Sequence, residues 1–240
     1  MTEKAEKHSL KTLTYMNPIF IDELIKELNA NISNNYQTVE YAFENEYRWP
    51  EVDSVRSEIC KCIICGFYQA AITLTNHLLE SVLKKALIIN ESAKNKTEQS
   101  DITDVFDDAT KIYADKDLDF TINQACRKGL IDKDEKHTLH KFREQYRNAF
   151  SHADPQKTFK GISVPATKFT TSDLHHPEEF LKRAFEDKPN TLLSAENNII
   201  IQGLIQSIKA KNEAVPYFLT IDRIVRNLCT KLFKTRMNRA

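Results

Sequence analysis

Apolar residues recur at three- and four-residue steps through nearly every long segment of the chain, and few alternating β-branched runs interrupt them. That period belongs to helices with one buried face. Residues 1–16 read as a mobile leader. Asn17-Pro18 opens an amphipathic helix through Ile19, Phe20, Leu24, Ile25 and Leu28, because proline suits a first helical turn. Asn31 to Asn35 reads as a polar turn, followed by a short helix carrying Val39, Tyr41, Ala42, Phe43 and Tyr47 and ending before Trp49-Pro50. From about Val52 to Asn90 runs the longest pattern, with Ile59, Ile63, Phe67, Ala70, Leu74, Leu78, Val82 and Leu83 on one stripe and a bend allowed at Gly66.

A polar loop, Glu91 to Asp101, precedes helices over Ile102 to Tyr113 and Leu118 to Lys128. Gly129 then marks a stop, and Asp132 or Asp134 caps the next helix. In that helix Leu139, Phe142, Tyr146, Ala149, Phe150 and Ala153 share one arc at about 100° per residue. His140, Arg143, Arg147 and Ser151 lie nearly in line on the opposite arc, with Asn148 and His152 displaced to one edge. Pro155 drives Asp154 out of the α region, so the helix is expected to end near His152. Gln156 to Asn190 reads as an irregular excursion with one helical candidate, Glu178 to Phe185. Two further helices, Asn197 to Ala210 and Ala214 to Phe233, close the chain, the second facing inward through Phe218, Ile221, Ile224, Val225 and Leu228.

Composition narrows the picture. With 4 glycines and 7 prolines in 240 residues, neither a sheet-rich fold nor long flexible linkers are expected, and 41% hydrophobic residues suffice for a core. The 34 basic and 34 acidic residues cancel, so no global field gathers nucleic acid and any RNA site must be local. No apolar run is long enough to span a bilayer, and the polar opening lacks a signal-peptide core; the expected location is cytoplasmic and off the membrane. Five cysteines suit reduced thiols, and Cys60, Cys62 and Cys65 point in different directions on a helix, so core packing is expected there rather than a metal site.

Arg147-Asn148-Ala149-Phe150-Ser151-His152 resembles the signature of HEPN domains, an all-helical family rich in metal-independent ribonucleases. Gly129-Leu-Ile-Asp132 before it, and the earlier helix from Gly66 to Leu83, agree with the family's order of elements. The resemblance covers roughly residues 53–154 and 213–235. It implies a HEPN-like helical bundle, with residues 1–50 as an N-terminal helical extension, 51–155 as core helices, 156–193 as an irregular insertion and 194–240 as the closing helices.

The chemistry that follows is cleavage without a metal or cofactor. A base takes the 2′-hydroxyl proton, the oxygen attacks the adjacent phosphorus, and cations hold the phosphate. Histidine titrates near neutral pH and arginine's fork binds oxygens in pairs. His152 is thus the expected base or acid, Arg147 the phosphate clamp, and Asn148 an orienter of His152 or of the sugar. Arg143, His140 and Ser151 extend the substrate-binding track. On an ideal α-helix Arg147 and His152 lie about 140° apart and roughly 7.5 Å apart along the axis. The resemblance implies the remedy, a homodimer with two motifs lining one cleft.

The expected function is therefore an endoribonuclease of the toxin or anti-phage defence kind, acting on RNA and restrained by an antitoxin or regulatory protein. Its rivals are a non-cutting module that binds a nucleotide or RNA and signals, and a purely structural helical domain. His77 and Glu80 are possible supporting residues or simply make rim hydrogen bonds, and His175-His176 reads as an exposed loop pair. The basic residues from Arg223 to Arg239 either hold RNA backbone or form a solvated face.

Overall fold

Among the described residues the protein is all-α apart from one pair of short strands. The structure, a computed structural model, describes residues 18–95, 102–151, 161–166, 191–194, 196 and 199–237. The leader, the helical candidate Glu178 to Phe185 and His175-His176 lie outside the described residues.

Helix α1 runs Pro18–Glu44 without the turn expected at Asn31 to Asn35. Asn31 Nδ2 donates to the carbonyl of Cys65 at 3.2 Å, and Asn35 Nδ2 donates to that of Ile63 at 3.0 Å and to Tyr68 Oη at 2.9 Å. The polar residues that read as a turn instead bond to carbonyls at the end of the next helix.

That helix, α2 (Pro50–Ile64), is separate from α3 (Tyr68–Asn95), where one bent helix was expected. The Phe67 amide bonds to the Cys62 carbonyl at 2.7 Å and the Gly66 amide to that of Ile63 at 3.0 Å, a Schellman closure that needs a left-handed residue. Gly66 supplies it at φ +83°. The break re-phases the apolar stripe: Phe67 and Ala70 face solvent while Ala71 and Ile72 are buried. A Cβ at Gly66 would lie 2.5 Å from Asn31 Nδ2, so Gly66→Ala meets both backbone strain and a clash. It is expected to cost about 1–3 kcal/mol, read as a lowered urea midpoint with an unchanged slope.

Helices α4 (Ile102–Tyr113) and α5 (Leu118–Arg127) follow, and a second Schellman closure at Gly129 stops α5 as expected. Asp132 opens α6 (Lys133–Phe142) with a reciprocal capping box, its Oδ1 taking the Glu135 amide at 2.7 Å while Glu135 Oε2 takes the Asp132 amide at 3.0 Å. Asp132→Ala should therefore cost about 1 kcal/mol in the same unfolding measurement.

The chain continues directly from α6 into a π-helical segment, Arg143–Ser151, where α-helix was expected. β1 (Ser163–Ala166) and β2 (Thr191–Ser194) pair antiparallel, Ser163 opposite Ser194, so the ends of the supposedly irregular excursion are tied together. The two closing helices are one, α7 (Ile199–Met237), with Pro216 inside it. Pro216 is exposed, and its carbonyl accepts the Thr220 hydroxyl at 2.8 Å. Lys211 and Asn212, which read as a break, only occupy the solvent face between buried Ala210 and Ala214.

Helix α3 is the hub, touching α2, α4, α5, the π segment and α7. Its Ile72, Leu79, Leu83 and Leu87 share one core with Ile59 and Ile63 of α2, Ile122 of α5, Leu139 of α6 and Phe218 and Ile221 of α7. Val39, Ala42 and Trp49 belong to the same core, so the N-terminal helix is packed into it over its second half. Below that half lies a buried charge network. Arg56, 1% exposed, directs Nε to Asp222 Oδ1 at 2.6 Å, Nη1 to Asp53 and to the Asn45 carbonyl at 2.9 Å, and Nη2 to the Ala42 carbonyl at 2.9 Å. Tyr47 donates to Asp222 Oδ2 at 2.6 Å, its ring 3.5 Å beneath the guanidinium.

Candidate functional site

Arg143 and Arg147 stand on the π segment, whose position follows from the aromatic residues on its buried side. Tyr146 stacks on Tyr217 of α7 with centroids 4.1 Å apart, and Phe142 meets both rings edge-on or tilted at 5.0 and 5.3 Å. Tyr217 donates to Asn76 Oδ1 at 2.7 Å on α3, and Gln145 donates to Glu213 at 3.4 Å. Burial pushes both tyrosine hydroxyls far above their ordinary range, with Glu213 adding to the effect at Tyr146. The Tyr217 hydroxyl ties α7 to α3 as a neutral donor, and the Tyr146 hydroxyl meets Glu213 of α7.

A π-helix bonds i to i+5, so residues five apart lie more nearly above one another than on an α-helix. The α-helical projection used for the motif therefore does not hold from Arg143 onward. His152 lies outside the described residues, and of Asn148 and Ser151 the structure describes only the backbone.

On the open side the two arginines meet carboxylates. Arg147 Nη2 lies 3.8 Å from Glu80 Oε2 on α3, and Glu80 Oε1 is 3.2 Å from Lys84, whose Nζ donates to the Ala114 carbonyl at 3.0 Å. Arg143 Nη1 is 2.8 Å from Asp119 Oδ1 on α5. The same carboxylate oxygen lies 3.5 Å from His140 Nδ1, and the other ring nitrogen is 3.4 Å from Asn123 Oδ1. Asn123 is oriented by donating Nδ2 to the Asp119 carbonyl at 2.9 Å and to its Oδ2 at 3.1 Å, so Oδ1 is the atom offered to the imidazole. Partial burial lowers the His140 pKa below its usual value; Asp119 opposes that shift, while Arg143 and Lys136 reinforce it.

The structure thus brings Arg147 to α3 and gathers His140 and Arg143 around Asp119. Asp119 and Asn123 had no signal in the sequence, because their link to His140 exists only once α5 packs on α6. His77 is exposed, whereas Glu80 meets Arg147. Of the C-terminal basic residues, Arg226 covers the Tyr41 ring at 5.4 Å, Lys231 donates to the Leu130 carbonyl at 3.1 Å, and Arg223 is exposed. Lys234, Arg236 and Arg239 lie outside the described side chains.

Among the described residues no group of three or more His, Cys, Asp or Glu side chains is placed to hold a metal. Burial pushes the Cys60 and Cys229 thiols up to about 12, as for packed, unreactive sulfur. No described helix is long and apolar enough to cross a membrane. Compared with known proteins, the chain matches no family model, no curated protein and no solved structure.

Proposed function

We propose that this protein is a metal-independent endoribonuclease resembling HEPN enzymes, with Arg147 holding the scissile phosphate, His152 transferring the proton and Asn148 orienting the imidazole or the sugar. The observation that carries the reading is that His140, Arg143 and Arg147 are all partly exposed, on α6 and on the π segment that carries the start of the Arg147-to-His152 motif. Guanidinium groups of this kind bind phosphate oxygens, and a histidine is suited to take the proton of a 2′-hydroxyl. Attack by that oxygen on phosphorus breaks the bond to the 5′-oxygen, which leaves with a proton and yields a 2′,3′-cyclic phosphate. Two subunits pairing across the motif would bring two such sets to one scissile bond and complete the composite cleft. The physiological setting that fits is a cytoplasmic toxin or anti-phage effector under an antitoxin or regulatory protein.

A second reading, a module that binds a nucleotide or RNA and signals without cutting, is favoured by the carboxylates: Asp119 and Glu80 pair with the arginines and cancel much of the local field. One assay separates the two. Labelled RNA is incubated in excess EDTA with the wild-type chain, Arg147→Ala and His152→Ala. Cleavage by the wild type alone supports the enzyme, and binding without cleavage by all three supports the module. Sedimentation tests the composite cleft, which a stable monomer that still cleaves RNA would refute.

A further inference from the structure

Asp119 Oδ1 occupies a point between the Arg143 guanidinium, with Nη1 at 2.8 Å, and the titratable His140 imidazole, with Nδ1 at 3.5 Å. We propose that this point is a phosphate-oxygen subsite for the RNA backbone, filled in this structure by the Asp119 carboxylate acting as an internal stand-in. The inference rests on the RNA reading above and deepens it. It concerns a phosphate neighbouring the scissile one and uses His140 as a charge that the ligand switches on.

Three features point to an oxygen anion that exchanges. Asp119 engages the Arg143 fork through one oxygen at Nη1, and Glu144 stands 4.0 Å from Nη2, so a phosphodiester with two free oxygens can engage the guanidinium more fully than Asp119 does. Arg143 and His140 retain 26% and 25% of their side-chain exposure, enough for a backbone phosphate to arrive from solvent. Asp119 lies in the first turn of α5 and is held from behind by Asn123, so once displaced it still has the helix N-terminus to stabilise it.

The imidazole has its own part. Asn123 Oδ1 can only accept, which places a proton on Nε2, and a carboxylate or phosphate oxygen at Nδ1 asks for a second proton there. In the free protein Arg143, Lys136 and partial burial oppose that second proton, and Asp119 and Glu144 favour it. Asp119 stays beside the site through its bond to Asn123, so a seated phosphate adds a second negative charge near His140, and binding is coupled to proton uptake by the imidazole. The sign follows: the bound form holds the proton more tightly, so affinity rises as pH falls from about 8 to about 6.

The test uses the full chain and a single-stranded RNA with 2′-O-methyl groups throughout, which binds but cannot be cut. Binding is followed by calorimetry in two buffers of different ionisation enthalpy. The wild type is expected to take up close to one proton per site near pH 7. Asp119→Asn removes the competing carboxylate and should bind about fivefold tighter. Arg143→Gln should bind at least about fivefold more weakly, and His140→Gln should abolish both proton uptake and the pH dependence while remaining folded. Equal affinity of wild type, Asp119→Asn and Arg143→Gln, or buffer-independent binding heat, overturns the subsite. If the wild type nevertheless cleaves unmodified RNA, the nuclease reading survives that result. Binding in the expected order by a protein that never cleaves supports the subsite and removes only the nuclease.

Discussion

Arg147→Ala and His152→Ala are each expected to lower chelator-resistant RNA cleavage by about a hundredfold to ten-thousandfold without changing the unfolding free energy by more than about 0.5 kcal/mol. The split between activity and stability distinguishes a site from a structural motif. Arg147 lies 3.8 Å from Glu80, with side-chain exposures of 28% and 30%, and an ion pair this open to solvent contributes little to stability. If its purpose were structural, the variant would lose stability and keep whatever activity the chain has. Arg147→Lys adds a check, because a point charge cannot reproduce a planar fork: its activity should fall between wild type and alanine.

Asp222→Ala is expected to be the most destabilising single change, costing about 3–5 kcal/mol. The carboxylate is 5% exposed and answers the buried Arg56 Nε at 2.6 Å and the half-buried Tyr47 hydroxyl at 2.6 Å. Its removal leaves Arg56 charged in the core with only Asp53 as a carboxylate partner, and leaves the phenol without an acceptor. Since Tyr47, Arg56 and Asp222 come from the segment after α1, from α2 and from α7, the loss should loosen the joint between the first and last helices. Chemical denaturation gives the magnitude. A loss below about 1 kcal/mol would mean that water reaches the network and that the pair is an ordinary surface contact.

The helical class was legible because three- and four-residue periodicity is a local property. The Gly129 stop and the Asp132 cap were legible for the same reason, since each motif closes within a few residues. The misreadings arose where a side chain works at a distance. Asn31 and Asn35 look like turn residues until α2 supplies carbonyls for them, and Gly66 looks like a bend until the Cys62 carbonyl and the Phe67 amide close a Schellman motif around it. Lys211 and Asn212 look like a break in α7 because nothing local shows that Ala210 and Ala214 continue the buried face. In the site, His140, Arg143 and Arg147 were expected as a row on one α-helix, but Arg143 and Arg147 stand on the π segment and meet different helices. Asp119 and Glu80, which answer them, come from other helices and carried no periodic signal. The π-helical step at Arg143 was also invisible, since its hydrogen-bond shift has no signature in residue spacing.

The most direct measurement is the chemistry of the cut ends. Wild-type protein with a defined RNA in excess EDTA should produce 2′,3′-cyclic phosphate and 5′-hydroxyl termini, and a single 2′-O-methyl group at the cleaved position should abolish that cut. Cleavage that needs added metal, leaves a 5′-phosphate, or proceeds past a blocked 2′-hydroxyl would contradict the assignment of Arg147 and His152.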